Sequence, residues 1–255
     1  MITNNLILIA VGGLVGIVSG YLGSFMVLKR MSLVGDALSH VALPGMAIAI
    51  MTGINPMMGA FVALLLAIIG IWYLEKKSEV YPEALVGVFF TASLAIGLLI
   101  TPEPELFEAL FGSLENITKF DGIIVLVLST LIISILSKIS KKLTLGIVSE
   151  DLAKSQKINM SEINLLYLVL VGLVVAMGVK FLGTLLTGAL VIIPAASAKN
   201  IARSIKSFQI ISILIGFVSA AVGVLIAGIL NVASGPAVVL TAVAFFIISF
   251  VFKKH

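Results

Sequence analysis

The chain has 255 residues, of which 60% are hydrophobic and 11% charged, and its mean hydropathy is +1.26. That balance excludes a soluble globular domain, because apolar runs of about 17 to 25 residues, long enough to cross about 30 Å of hydrocarbon as helices, recur from end to end. The net charge of +4 does not mark a nucleic-acid binder, since the basic residues sit at the edges of the apolar runs, and the lack of cysteine excludes disulfides, thiol nucleophiles and cysteine-based zinc sites.

The sequence therefore reads as an all-α polytopic membrane protein, a single transmembrane domain over residues 1–255. The first span is expected at about 6–28; its leading MITNN has no basic stretch, so it reads as a retained span and not a cleaved signal. Within it Gly12, Gly16 and Gly20 recur every fourth residue, a small-residue stripe that lets backbones approach closely. The second span, about 33–52, holds GDALSHVALPG from Gly35 to Gly45, with an acid, a histidine and a proline. The third and fourth follow at about 56–74 and 84–101. The loop after them, with Glu103, Glu105, Glu108 and Glu115, is acidic and reads first as a merely solvated loop, the alternative being a loop that concentrates cations or meets a basic patch on an external protein. A fifth span is expected at about 120–137.

The stretch from Leu143 to Asn164 is too polar to enter the membrane and too long for a tight turn, so it reads as a short amphipathic helix under the bundle. Ser149 followed by Glu150 and Asp151 resembles a helix start. The sixth span, about 163–179, ends at Lys180, which is expected to snorkel to the interface. The remaining three lie at about 184–198, 208–230 and 236–252, the eighth carrying a second stripe of Ser212, Gly216 and Ala220. Pro44 and Pro194 interrupt the backbone ladder of the second and seventh spans, so the count is eight or nine. With the N-terminus outside and the C-terminus cytoplasmic, fourteen of the sixteen basic residues fall on the inner side and only Lys119 and Lys180 outside.

Asp36 and His40 are four residues apart, so a helix stacks them on one face. If Arg30 marks the inner boundary, a rise of about 1.5 Å per residue places Asp36 roughly 9 Å and His40 roughly 15 Å into the bilayer. Ionisable groups at that depth cost at least a few kcal/mol unless they face a polar cavity or a partner. Two readings follow: the pair handles a metal ion or protons, or it is a buried hydrogen-bonded tether between helices. A carboxylate and an imidazole suit zinc, manganese and ferrous iron. No phosphate-binding G-x-x-x-x-G-K-[ST] and no H-E-x-x-H is present, and Ser39 and His40 are helix neighbours that cannot face one another as nucleophile and base, so an enzyme is not expected.

Five words, SFMVLKRMSLVGDALSHVALPG at 24–45, INPMMGA at 54–60, LFGSLENIT at 110–118, KFLGTLLTGALVIIPAASAKNIAR at 180–203 and SGPAVVL at 234–240, occur in an order and spacing that resemble the membrane permease subunit of zinc and manganese ABC importers. The resemblance implies a homodimeric permease of the inner membrane, served by two copies of a separate cytoplasmic ATPase and by an external metal-binding protein. It implies no permanent cofactor; the divalent ion, zinc ahead of manganese or ferrous iron, is cargo. Asp36 and His40 match the family's second-span acid and histidine. The region around Glu150 to Asn159 matches its coupling segment, with Glu150, Asp151, Ala153 and Lys154 as coupling residues within about 143–164. The sequence departs at Lys157, where the family usually has glycine. The alternative class is a stand-alone proton-coupled secondary transporter, with Asp36 and His40 as the relay.

Overall fold

The computed structural model describes residues 2–78, 80, 82–101, 110 and 119–252. The four loop glutamates and most of the 110–118 word lie outside them. All regular structure among the described residues is helical: α1 (Ile2–Leu28), α2 (Ser32–Met51), α3 (Pro56–Lys77), α4 (Pro82–Ile100), α5 (Lys119–Val148), α6 (Glu150–Ser155), α7 (Met160–Leu182), α8 (Thr184–Ile201), α9 (Ile205–Leu230) and α10 (Ser234–Val251). Seven of these are long and apolar enough to cross a membrane, and the apolar parts of α4 and α8 are shorter, at Ala84–Ile100 and Leu186–Ile201. Pro44 and Pro194 lie inside α2 and α8, which run through them as single helices.

The two small-residue stripes pack on each other, and this is the most extensive helix pairing in the fold. A Cβ at Gly16 would overlap the Gly216 carbonyl, and one at Gly20 the Ser212 carbonyl. Ser212 Oγ donates to Gly20 O at 2.6 Å, so the contact is backbone to backbone with a hydrogen bond across it. α8 packs on α1, α2, α9 and α10, while α2 is enclosed by α3, α4 and α8. Tyr167 of α7, fully buried, donates to Leu22 O of α1 at 2.9 Å, meeting the need of a hydroxyl in an apolar interior.

Two expectations need correction. The stretch from Leu143 to Asn164 is not one amphipathic helix: α5 continues to Val148, only Glu150–Ser155 forms a separate helix, and α7 begins at Met160. At 30 residues α5 is about 45 Å long, well beyond the hydrocarbon. Polarity ends a membrane span but not a helix, and α5 stops only where Ser149 turns its side chain to cap the next one, accepting from Leu152 N at 3.3 Å. Lys180 does not merely snorkel. It forms an ion pair with Asp121 at the start of α5, with Lys180 22% and Asp121 6% exposed, because desolvation at that depth favours a charged partner over an isolated ammonium.

Helix ends repeat one device. After α1 the N–H of Met31 reaches Met26 O at 2.9 Å and that of Arg30 reaches Val27 O at 3.2 Å, with Arg30 at φ 60°. After α6, Ile158 bonds Ala153 O and Lys157 bonds Lys154 O, with Lys157 at φ 57°. Both are left-handed helix caps of the kind glycine usually fills. The lysine at 157, where the resemblance led to the expectation of glycine, therefore adopts the left-handed cap itself, at a conformational cost.

Candidate cation site in the second span

The site is built from α2 outward. α2 starts at Ser32, directly after the stiff α1 cap, and its 3.6-residue turn brings Asp36, Ser39 and His40 together. Asp36 is half-buried and His40 is 9% exposed. The Ser39 hydroxyl is fully buried, 2.7 Å from Asp36 O and 2.6 Å from Thr184 O, so it spends its proton on the backbone and ties the first residue of α8 to α2. It is unavailable as a nucleophile.

α8 approaches closely here because it presents glycine. A Cβ at Gly188 would stand 2.5 Å from Asp36 Cα and 2.8 Å from Asp36 Oδ1, so any other residue at 188 would push the carboxylate away from α8. On the opposite flank, the His40 ring meets the Phe90 ring of α4 edge to face, centroids 5.3 Å apart at 67°. An aromatic edge fixes the imidazole plane without using either nitrogen.

Two buried polar atoms are left over. His40 Nδ1 and Thr184 Oγ1 have no hydrogen-bond partner. Each such orphan costs about 1–3 kcal/mol. Pro44, four residues after His40, also has no N–H to offer the His40 carbonyl. A tether would spend the imidazole on a helix contact, and no such bond is made by Nδ1. The described residues contain no cluster of three or more His, Cys, Asp or Glu side chains that could enclose a metal ion. Among the described residues Asp36 and His40 therefore form an open pair on one helix, with no third His, Cys, Asp or Glu beside them.

The expected coupling residues divide. Glu150, Asp151 and Lys154 are exposed on α6, together with Leu152 at 53%, while Ala153 is fully buried and anchors the short helix. The Ser39–Thr184 link and the Gly188 contact were not foreseen. The signal for the latter was present in TLLTGALVIIP, as a glycine in a span that must approach another.

A multi-helix membrane bundle with an open carboxylate–imidazole pair inside it defines a class: a polytopic transport protein. Residues 3–253 match the ABC 3 transport family, and the chain belongs to it. It is 32% identical over 242 residues to the manganese transport system membrane protein MntC of Listeria monocytogenes, covering 93% of this chain and 86% of that one. It is also 32% identical over 254 residues to the high-affinity zinc uptake system membrane protein ZnuB of Haemophilus influenzae, covering 96% and 95%. Among solved structures, PsaBC from Streptococcus pneumoniae in complex with Fab matches with a TM-score of 0.84 at 34% identity, over 95% of this chain and 89% of that one.

Proposed function

We propose that this chain is the transmembrane permease subunit of an ATP-binding cassette importer for divalent metal ions, and that Asp36 and His40 hold the ion in transit. The observation that carries the reading is the same-face pair with a buried, partnerless imidazole nitrogen. An incoming borderline cation supplies what the orphaned nitrogen lacks, and Asp36 supplies the countercharge. Names of relatives that specify manganese in one case and zinc in another support this cargo class. The ion is substrate, and no resident cofactor is needed.

Importer chemistry without a phosphate loop requires energy from elsewhere. The permease works as a homodimer in the inner membrane, N-terminus outside, with two copies of a cytoplasmic ATPase docked at residues 143–164 and an external metal-binding protein delivering the ion. The exposed Glu150, Asp151, Leu152 and Lys154 form the docking face, and Ala153 holds that face on the bundle.

The test is uptake of radioactive manganese and zinc into vesicles holding the permease and its ATPase. Asp36→Ala and His40→Ala should each lower uptake at least about 100-fold while membrane yield and ATPase binding stay normal. Parental transport by both variants would make the pair a structural feature. Uptake that requires the ATPase and survives collapse of the proton gradient is expected, and the converse would favour a proton-coupled carrier. Glu150→Lys combined with Asp151→Lys should leave a folded permease that no longer couples ATP hydrolysis to uptake.

A further inference from the structure

At the inner foot of the bundle a cleft of about 500 Å3 is lined by Glu75 and Lys76 of α3, Glu150 and Lys154 of α6, and Asn159, Ser161 and Asn164 at the start of α7. Lys29, the last residue before the left-handed cap of α1, reaches this cleft from the side. Its Nζ donates to Asn164 Oδ1 at 2.6 Å and lies 5.4 Å from the centre of the Tyr167 ring. We propose that Lys29 is a positioning residue that relays movement of α6 to the head of α2, and so to Asp36 and His40. The proposal rests on the reading that α6 docks on the ATPase.

The geometry provides both ends of the relay. On the receiving side, Lys29 sits three residues before Ser32, and the intervening turn is closed by the paired hydrogen bonds of Arg30 and Met31, with a further one from Val34 N to Met31 O at 3.1 Å. A turn locked this way transmits displacement instead of absorbing it. On the driving side, Glu75 of α3 and Glu150, the first residue of α6, line the same cleft as Asn164, the residue to which Lys29 bonds, and both carboxylates act on the Lys29 ammonium. Burial pushes the Lys29 ammonium below its ordinary pKa, and the two carboxylates work against that shift. Displacing Glu150 within this cleft therefore changes the balance of forces on a partly desolvated charge, a change that a fully solvated lysine would feel less. α7 is held to the same place from the α3 side, where Trp72 Nε1 donates to Ser161 Oγ at 3.1 Å. Asn164 is consequently a fixed post for Lys29, and the relay takes α6, held by its two caps and by buried Ala153, as the element that a docked ATPase would displace.

Lys76 and Lys77 occupy the same level but lie over the Trp72 and Tyr73 rings at 3.7 and 4.6 Å. Both belong to α3 and reach back along their own helix. Lys29 is the cation here that bonds to another helix.

The experiment uses the intact permease–ATPase complex in proteoliposomes, reading three quantities: ATPase retained on purification, ATP hydrolysis, and manganese taken up per ATP. Lys29→Met should keep the ATPase bound and hydrolysing but lower uptake per ATP at least about tenfold, while Lys29→Arg stays within about twofold of parent. Lys29→Glu should fail as well, and pairing it with Glu75→Lys should recover uptake. Normal uptake per ATP in Lys29→Met overturns the relay and leaves docking at α6 standing. Loss of the bound ATPase in Lys29→Met also overturns it, because Lys29 would then belong to the docking surface or to folding. Normal coupling in Glu150→Lys with Asp151→Lys overturns docking at α6 and the relay that starts there.

Discussion

The middle of α2 and the inner foot of the bundle handle polar groups in opposite ways. Around His40, two buried polar atoms, His40 Nδ1 and Thr184 Oγ1, go without partners although Ser39 between the two helices is engaged and each orphan is costly; Ser129 and Ser219 are orphaned elsewhere among the described residues. At the foot, where water is near and partners are cheap, the side chains are engaged: Lys29 with Asn164, Trp72 with Ser161, Asn159 with Glu162 at 2.7 Å, and Ser149 with the α6 backbone. A fold under selection for stability alone would distribute hydrogen bonds the other way. Under the function proposed above, the contrast fits an α2 region left open to a passing ligand and a foot whose shape is held by side-chain bonds.

The largest way to break this comparison is at Gly188. A side chain there would overlap Asp36, so Gly188→Val should displace the carboxylate and lower metal uptake about 100-fold, with Gly188→Ala intermediate. Uptake, membrane yield and ATPase binding measured together separate this from misfolding. Parental uptake by Gly188→Val would mean that the carboxylate's position is not critical and that the α2 region resembles an ordinary packed interface.

A smaller effect is expected at the other end of α7. Asp121→Asn removes the charge that Lys180 faces in a place where neither group is fully hydrated. Breaking a fully buried pair costs about 3–5 kcal/mol, and Lys180's partial exposure reduces that to roughly 1–3 kcal/mol. Thermal unfolding in detergent should show a midpoint lowered by about 5 °C, with uptake per folded molecule close to parent. A loss of uptake without a change in midpoint would move functional polarity to the outer end and blunt the contrast between α2 and the foot.

How much of this was legible beforehand follows from which forces act locally. The Asp36–His40 face, the cap at Ser149 and the two small-residue stripes are properties of single helices, and each is found as expected. The overrun of α5 was missed because hydropathy reports where the membrane ends, whereas helix length depends on where a cap intervenes. The Lys180–Asp121 pair, the Ser39–Thr184 bond and the Lys29–Asn164 bond join residues 59, 145 and 135 positions apart. Such pairings are set by which helices become neighbours, and no periodicity within one helix encodes that. The stripes came nearest to doing so: each announced a close approach, and their mutual partnership emerged only once α1 and α9 were seen side by side.

The smallest effect, and the finest probe of the foot, concerns Lys157. Its φ of 57° places a non-glycine residue in the left-handed region to close the turn after α6, with Lys157 N bonded to Lys154 O at 2.9 Å and Ile158 N to Ala153 O at 3.0 Å. That conformation costs an L-residue roughly 1–2 kcal/mol, while a glycine would lose about 0.4–1 kcal/mol through the extra freedom of the unfolded chain. The difference favours Lys157→Gly by a few tenths to about 1 kcal/mol, and Lys157→Ala should bring no such gain because it keeps the Cβ. Hydrogen exchange at the amides of 157 and 158 reads the turn directly: about twofold to fivefold slower opening is expected in the glycine variant, with none in the alanine one. A stiffer turn holds α6 more firmly, so uptake per ATP should stay at or slightly above the parental value. Faster exchange in Lys157→Gly would mean that the lysine side chain itself holds the turn, and that the strap at the foot is stabilised by contacts beyond its backbone cap.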